Sequence, residues 1–104
     1  MKSVIEGKRY DTETATKVAE VSDNYGGRDF RAWSGTIYRT PRGNWFIEGS
    51  GGPMTMFAER VGDNTGSGSG IRALDKSSVR DLLERYARLS DWEQYQEELG
   101  VVEA

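Results

Sequence analysis

Residues 30–52 read FRAWSGTIYRTPRGNWFIEGSGG, and the fold turns on how this stretch is read. It holds two of the three tryptophans and one of the two prolines. Aromatic and β-branched residues lie on both sides of Thr40-Pro41-Arg42-Gly43, which fits a type I turn with glycine supplying the positive φ that follows. The spacing predicts one long β-hairpin. Along its first strand Phe30, Ala32, Ser34, Thr36 and Tyr38 alternate with Arg31, Trp33, Gly35, Ile37 and Arg39. Residues 44–48 form the return strand, with Trp45 and Ile47 opposite Phe46 and Glu48. Neither face is cleanly apolar, which predicts helices over one side and a half-exposed aromatic and cationic second side.

Working outward, Val4-Ile5 and Arg9-Tyr10 flank Glu6-Gly7 and predict a very short hairpin or extended arm. Asp11 stands where a helix N-cap belongs, and Ala15, Val18, Ala19 and Ser22 repeat at helical spacing. A helix is expected over residues 12–22, ended by residues 23–27. On the far side Gly49–Gly52 lead to Pro53, and Met54, Phe57, Ala58 and Val61 predict a second helix closed by Gly62. Residues 63–70 (DNTGSGSG) read as a flexible loop, and 71–74 as a strand. Asp75 caps a helix carrying Val79, Leu82, Leu83 and Tyr86. Ser90-Asp91-Trp92-Glu93 is a capping box for a last helix, closed by Gly100. The expected architecture is α+β: a small antiparallel sheet built on the central hairpin, with three to four short helices mainly on one face.

Composition narrows the function. With 104 residues and one expected core, a single domain covers 1–104. The chain has no cysteine and no histidine, which removes disulfides, thiolate metal sites and imidazole general bases. No enzyme, no cofactor and no metal are expected. No apolar run reaches the ~20 residues that span a bilayer, and the N-terminus lacks a signal's apolar region, so a cytoplasmic protein without membrane contact is expected. The net charge is −3 but uneven. Residues 28–42 hold four arginines against Asp29 alone, a net +3, whereas residues 91–103 hold five carboxylates and no base, a net −5.

Arg31, Trp33, Arg39, Arg42 and Trp45 are the expected partner-binding residues, with Trp33 as the apolar anchor. Tryptophan and arginine are enriched at interface hot spots. The same residues with Tyr38 could instead hold single-stranded nucleic acid, arginines on phosphates and rings on bases. A plainer reading makes the aromatics core and pairs the arginines with Asp29 and Glu48. Gly49–Gly52 could cradle an anion, or could let backbones pack closely. Asp11 with Glu13 could ligate Mg²⁺ but is fully explained by capping, and the acidic terminal helix could imitate DNA phosphates toward a basic partner but reads first as a solvated face.

The combination of Gly7-Lys-Arg-Tyr-Asp-Thr-Glu-Thr-Ala15 with Asp29-Phe30-Arg31, Tyr38-Arg39-Thr40, Gly43, Trp45-Phe46 and Gly51-Gly52-Pro53-Met54 resembles a group of small bacterial proteins of phages, plasmids and other mobile elements. The likeness spans roughly residues 4–85 and leaves the acidic helix and tail at 91–104 outside. It carries over no catalytic residue. What it implies is an interaction protein, an inhibitor of a host defence complex in the manner of anti-CRISPR proteins. Such a protein would dock a protein partner and block a nucleic-acid or subunit site.

Overall fold

The computed structural model describes residues 1–23 and 30–104. Eight strands and two α-helices follow one another: β1 (Lys2–Ile5), β2 (Lys8–Asp11), β3 (Thr16–Ser22), β4 (Trp33–Arg39), β5 (Trp45–Gly51), β6 (Glu59–Val61), β7 (Asn64–Gly66), β8 (Gly68–Leu74), α1 (Lys76–Tyr86) and α2 (Leu89–Trp92), with a 3-10 turn at Glu93–Tyr95. The main sheet is antiparallel in the order β3-β4-β5-β8, and β1-β2 and β6-β7 are separate hairpins. The α+β class and the central hairpin are as expected. The helix count is not: among the described residues there are two α-helices and one 3-10 turn, because two of the expected helices are strand or turn.

The first of these is residues 12–22. Thr16–Ser22 is an edge strand paired with β4, and its register shifts between Lys17 and Ala19. The extra residue, Val18, is a β-bulge, so Val18 and Ala19 both face inward with Val21. That break in alternation mimics helical spacing. β-branched Thr16, Val18 and Val21 also favour a strand. Asp11 does cap, but it caps a turn: its Oδ1 accepts the Glu13 N–H at 2.9 Å, and the Ala15 N–H returns to its carbonyl at 3.1 Å. The expected helix end at residues 24–27, and the charges of Arg28 and Asp29, lie outside the described residues.

The second is residues 53–61. Thr55 N–H reaches the Gly52 carbonyl and Ala58 N–H reaches that of Thr55, so only three-residue turns form. The Thr55 hydroxyl donates to the Gly52 carbonyl at 2.8 Å and accepts the Phe57 N–H at 3.2 Å, offering the backbone an alternative to a helix. The chain then leaves as β6. The glycine-rich stretch expected to be a loop is β7, paired with β6, and the first half of β8, paired with β5.

Other elements follow the local chemistry. Glu6 and Gly7 both take positive φ, as a two-residue hairpin turn needs. Gly43 has φ +84° and its N–H closes on the Thr40 carbonyl at 2.9 Å. Asp75 caps α1 through the Ser78 N–H at 2.7 Å, a bond that draws the Asp75 carboxyl below its ordinary range. The last helix starts two residues earlier than the capping box implies and tightens to 3-10 after Trp92.

The core has two parts. On one sheet face Ile37, Trp45 and Ile47 pack with Val79 and Leu83 of α1, Trp92 of α2, and Leu99. On the other, Tyr10 of the β1-β2 hairpin meets Phe46 edge-on, with ring centres 5.5 Å apart, and Ile71 lies beside them. At this end the molecule is three layers thick.

Candidate functional site

The five residues expected to form one exposed patch do not form one: Trp33, Arg39 and Trp45 share the helix-covered face of the sheet, and Arg31 and Arg42 lie outside its strands. Trp45 is 2% exposed and belongs to the core, which removes it from any docking surface. Its indole N–H donates to Glu98 Oε2 at 3.1 Å. Arg39, on the same face, places its Nε 2.9 Å from both Glu98 oxygens. The carboxylate raises the Arg39 pKa through that hydrogen bond, and the same bond holds the Glu98 carboxyl below its ordinary range. Arg80 adds a bond to the Leu99 carbonyl at 3.0 Å. Arg39 and Trp45 thus fasten the C-terminal segment to the sheet. Trp33 is half-buried, with the Tyr86 ring set against it edge-on at 5.1 Å. Tyr38 stacks on Phe46 at 5.0 Å. Arg31 stands exposed ahead of β4, and Arg42 is exposed at the far end, in the hairpin turn. The rings that would have stacked on bases are occupied by neighbouring rings or by the core.

The hairpin does expose one face, and it is the opposite one. Ser22 pairs with Ser34, Ser34 with Ser50, and Ser50 with Ser69. Four serines therefore stand in one row across all four strands, and all four are exposed. The next row is Glu20, Thr36, Glu48 and Ile71, again in register. Adjacent strands lie ~4.8 Å apart, so the hydroxyls are spaced regularly and the two carboxylates flank Thr36 on strands about twice that distance from each other. The β1-β2 hairpin covers the neighbouring part of this face but stops short of the serine row. What it leaves open is a depression of about 640 Å³, with Met1 at its margin.

Glycines make the opposite side of this half equally thin. A Cβ on Gly49 would collide with the Ser34 carbonyl and stand 2.6 Å from Gly35 Cα, and one on Gly68 would collide with the Phe57 carbonyl. The connection after β5 therefore lies directly on the sheet. Phe57, fully buried, sets its ring where a Gly49 side chain would have stood, with Arg72 over that ring at 5.8 Å. Gly49–Gly52 serve close packing, one of the two readings open from sequence.

The open face carries two carboxylates, Glu20 and Glu48. Glu20 meets Lys17 at 3.3 Å, both well exposed, while Glu48 is half-buried and has no ion pair among the described residues. Sequence reasoning missed this site because serine and glycine in strands look like linker. The signal that could have found it is the repeated Gly-Ser-Gly at 49–51 and 68–70, two triplets that pair residue for residue.

Among the described residues no cluster of three or more acidic, histidine or cysteine side chains could hold a metal, and no helix is long and apolar enough to cross a membrane. Compared with protein-family models, with curated proteins and with solved structures, the chain has no significant match.

Proposed function

We propose that this chain is a non-enzymatic, cytoplasmic interaction protein that docks a basic surface of a protein partner onto the open face of its main sheet. The observation that carries this reading is the in-register row Ser22-Ser34-Ser50-Ser69. Solvated strand positions gain stability from β-branched, aromatic and long side chains, and serine and glycine are poor choices there. A whole row of them gives up stability for shortness, and departures of this kind from local propensity mark functional places. Shortness admits a close-lying partner. The hydroxyls donate and accept hydrogen bonds, and Glu48 with Glu20 selects positive charge.

The resemblance to small proteins of mobile elements gives the reading its biological form. An acidic, hydroxyl-rich face with regular spacing can occupy a basic nucleic-acid-binding site of a host defence complex in place of nucleic acid. The anchor expected from sequence, Trp33 with Arg31 and Arg39, is replaced by a face of opposite charge, so the partner is basic rather than acidic.

Titration of the isotope-labelled protein with a short arginine-rich peptide tests the assignment. Amide shifts are expected at residues 20–22, 34–36, 48–50 and 69, and should fade as salt screens the charges. Ser50→Arg, an exposed change, should abolish them and leave the fold intact. Shifts confined to the acidic residues 91–103, or unaltered by Ser50→Arg, would rule the open face out.

A further inference from the structure

A second cleft lies at the other end of the molecule, between the β1-β2 turn and the Thr40–Gly43 turn, with a volume of about 480 Å³. It is lined by Lys8, Arg9 and Arg42, all exposed, and none of the three makes an ion pair or hydrogen bond among the described residues. Elsewhere Lys17, Arg39, Arg72 and Arg85 each have a carboxylate partner. Three cations gathered at one cleft and left unpaired are a standing preference for an anion.

The wall of the cleft also holds Asp11, which is 8% exposed. Its Oδ1 is engaged by the Glu13 N–H, and its other oxygen has no partner among the described residues. Nearby, Thr40 Oγ1 accepts the Asn44 N–H at 3.0 Å and keeps its own proton to donate, and the Asn44 carboxamide is unengaged. This donor set is specific in chemistry. A bare anion would gain from the cations but would be repelled by Asp11 and offer it nothing. A ligand that brings a phosphate together with hydroxyl donors satisfies both groups, the phosphate on Lys8, Arg9 and Arg42 and a hydroxyl on the Asp11 carboxylate. The volume lies in the range of small-ligand sites.

We infer that the cleft between the two hairpin turns, through Lys8, Arg9, Arg42 and Asp11, is a binding site for a sugar phosphate, as a free nucleoside 5′-phosphate or as the 5′-phosphorylated end of a strand. This site is independent of the docking face, and neither reading needs the other.

Calorimetry and amide-shift titrations with ribose 5-phosphate, a nucleoside 5′-phosphate, a 5′-phosphorylated oligonucleotide, the same oligonucleotide without that phosphate, and inorganic phosphate provide the test. Saturable shifts at residues 7–11 and 40–44 are expected with the first three. Inorganic phosphate and the unphosphorylated strand should bind about tenfold more weakly or worse. Tighter binding of the phosphorylated strand than of the nucleotide would identify the strand end as the source. Arg42→Glu, at an exposed turn position, should weaken the sugar phosphate by more than about tenfold. Asp11→Asn, which keeps the Oδ1 acceptor of the turn, should narrow the gap between sugar phosphate and inorganic phosphate. Inorganic phosphate binding as tightly as ribose 5-phosphate, indifference to Arg42→Glu, or no saturable shift in these two segments would each overturn the proposal.

Discussion

The same four strands make two different half-sheets. Where they carry Ile37, Tyr38, Trp45, Phe46 and Ile47, side-chain volume separates the layers, and helices on one side and the β1-β2 hairpin on the other bury both faces. Where β5 and β8 carry Gly49, Gly51, Gly68 and Gly70 with Ser50 and Ser69, those two strands have almost no side-chain volume. A chain crossing there rests on the backbone itself, with the Phe57 ring against Gly49, and the far side stays open. Large side chains recruit covering layers through buried apolar area. Small ones leave a face to water or to a partner. The difference between stability and availability is written along one set of strands.

The strongest way to break this contrast is to remove the supplied ring. Phe57→Ala should cost about 3–5 kcal/mol in chemical denaturation, as much as Phe46→Ala in the filled half, since both rings are fully buried. A cost below ~1 kcal/mol would mean that Phe57 is not the filler of the glycine half. Next, Gly49→Ala should destabilise by about 2–3 kcal/mol, because its Cβ meets backbone that cannot step aside. Its exposed neighbour change Ser50→Ala should stay within about 0.5 kcal/mol. Equal effects at the two positions would dissolve the distinction between the sheet's faces.

The clasp between Arg39 and Glu98 sharpens the filled half. Both side chains remain partly exposed, so Glu98→Gln should cost only about 1–2 kcal/mol at neutral pH. The Glu98 carboxyl is held below its unfolded value of 4.5, so its contribution is present above about that pH and is lost as pH falls through the lower folded value. Arg39, shifted upward, contributes at every pH below its own high range and adds no slope near neutrality. The acid limb of the stability curve should therefore be flatter in Glu98→Gln than in the parent, and parallel limbs would show that the clasp is not what acid releases. The smallest effect belongs to the open face. Ser50→Thr should raise stability by a few tenths of a kcal/mol, as β-branching favours a strand. The same change should weaken docking of a basic peptide, and a gain in both would leave the serine row without a function to explain it.

How much of this could be read from the chain depends on the range of the forces involved. The central hairpin, its Thr40–Gly43 turn, the Glu6-Gly7 turn, the Asp75 cap and the inward stripe of α1 were all legible, because each is set by residues within a few positions of one another. Residues 12–22 were misread because a bulge at Val18 copies helical spacing, and a bulge exists only relative to the strand across from it. Residues 53–61 were misread because Thr55 and the flat glycine surface beneath it, neither visible in periodicity, compete successfully with a helix. Of the expected binding residues, Arg42 does stand at a cleft, whereas Trp45 is enclosed and Arg39 is bound by Glu98, a partner 59 positions away.

The sequence by itself determined that this chain works without thiol or imidazole chemistry, that a bent ribbon at 30–52 organises it, and which short turns and caps punctuate it. Only the tertiary structure decided which face of the ribbon is covered. Alternation places side chains on two faces but does not say which receives the helices; that was fixed by Trp45, Ile37 and Ile47 finding Leu83, Trp92 and Leu99 far along the chain. The burial of those rings turned the serines and glutamates outward.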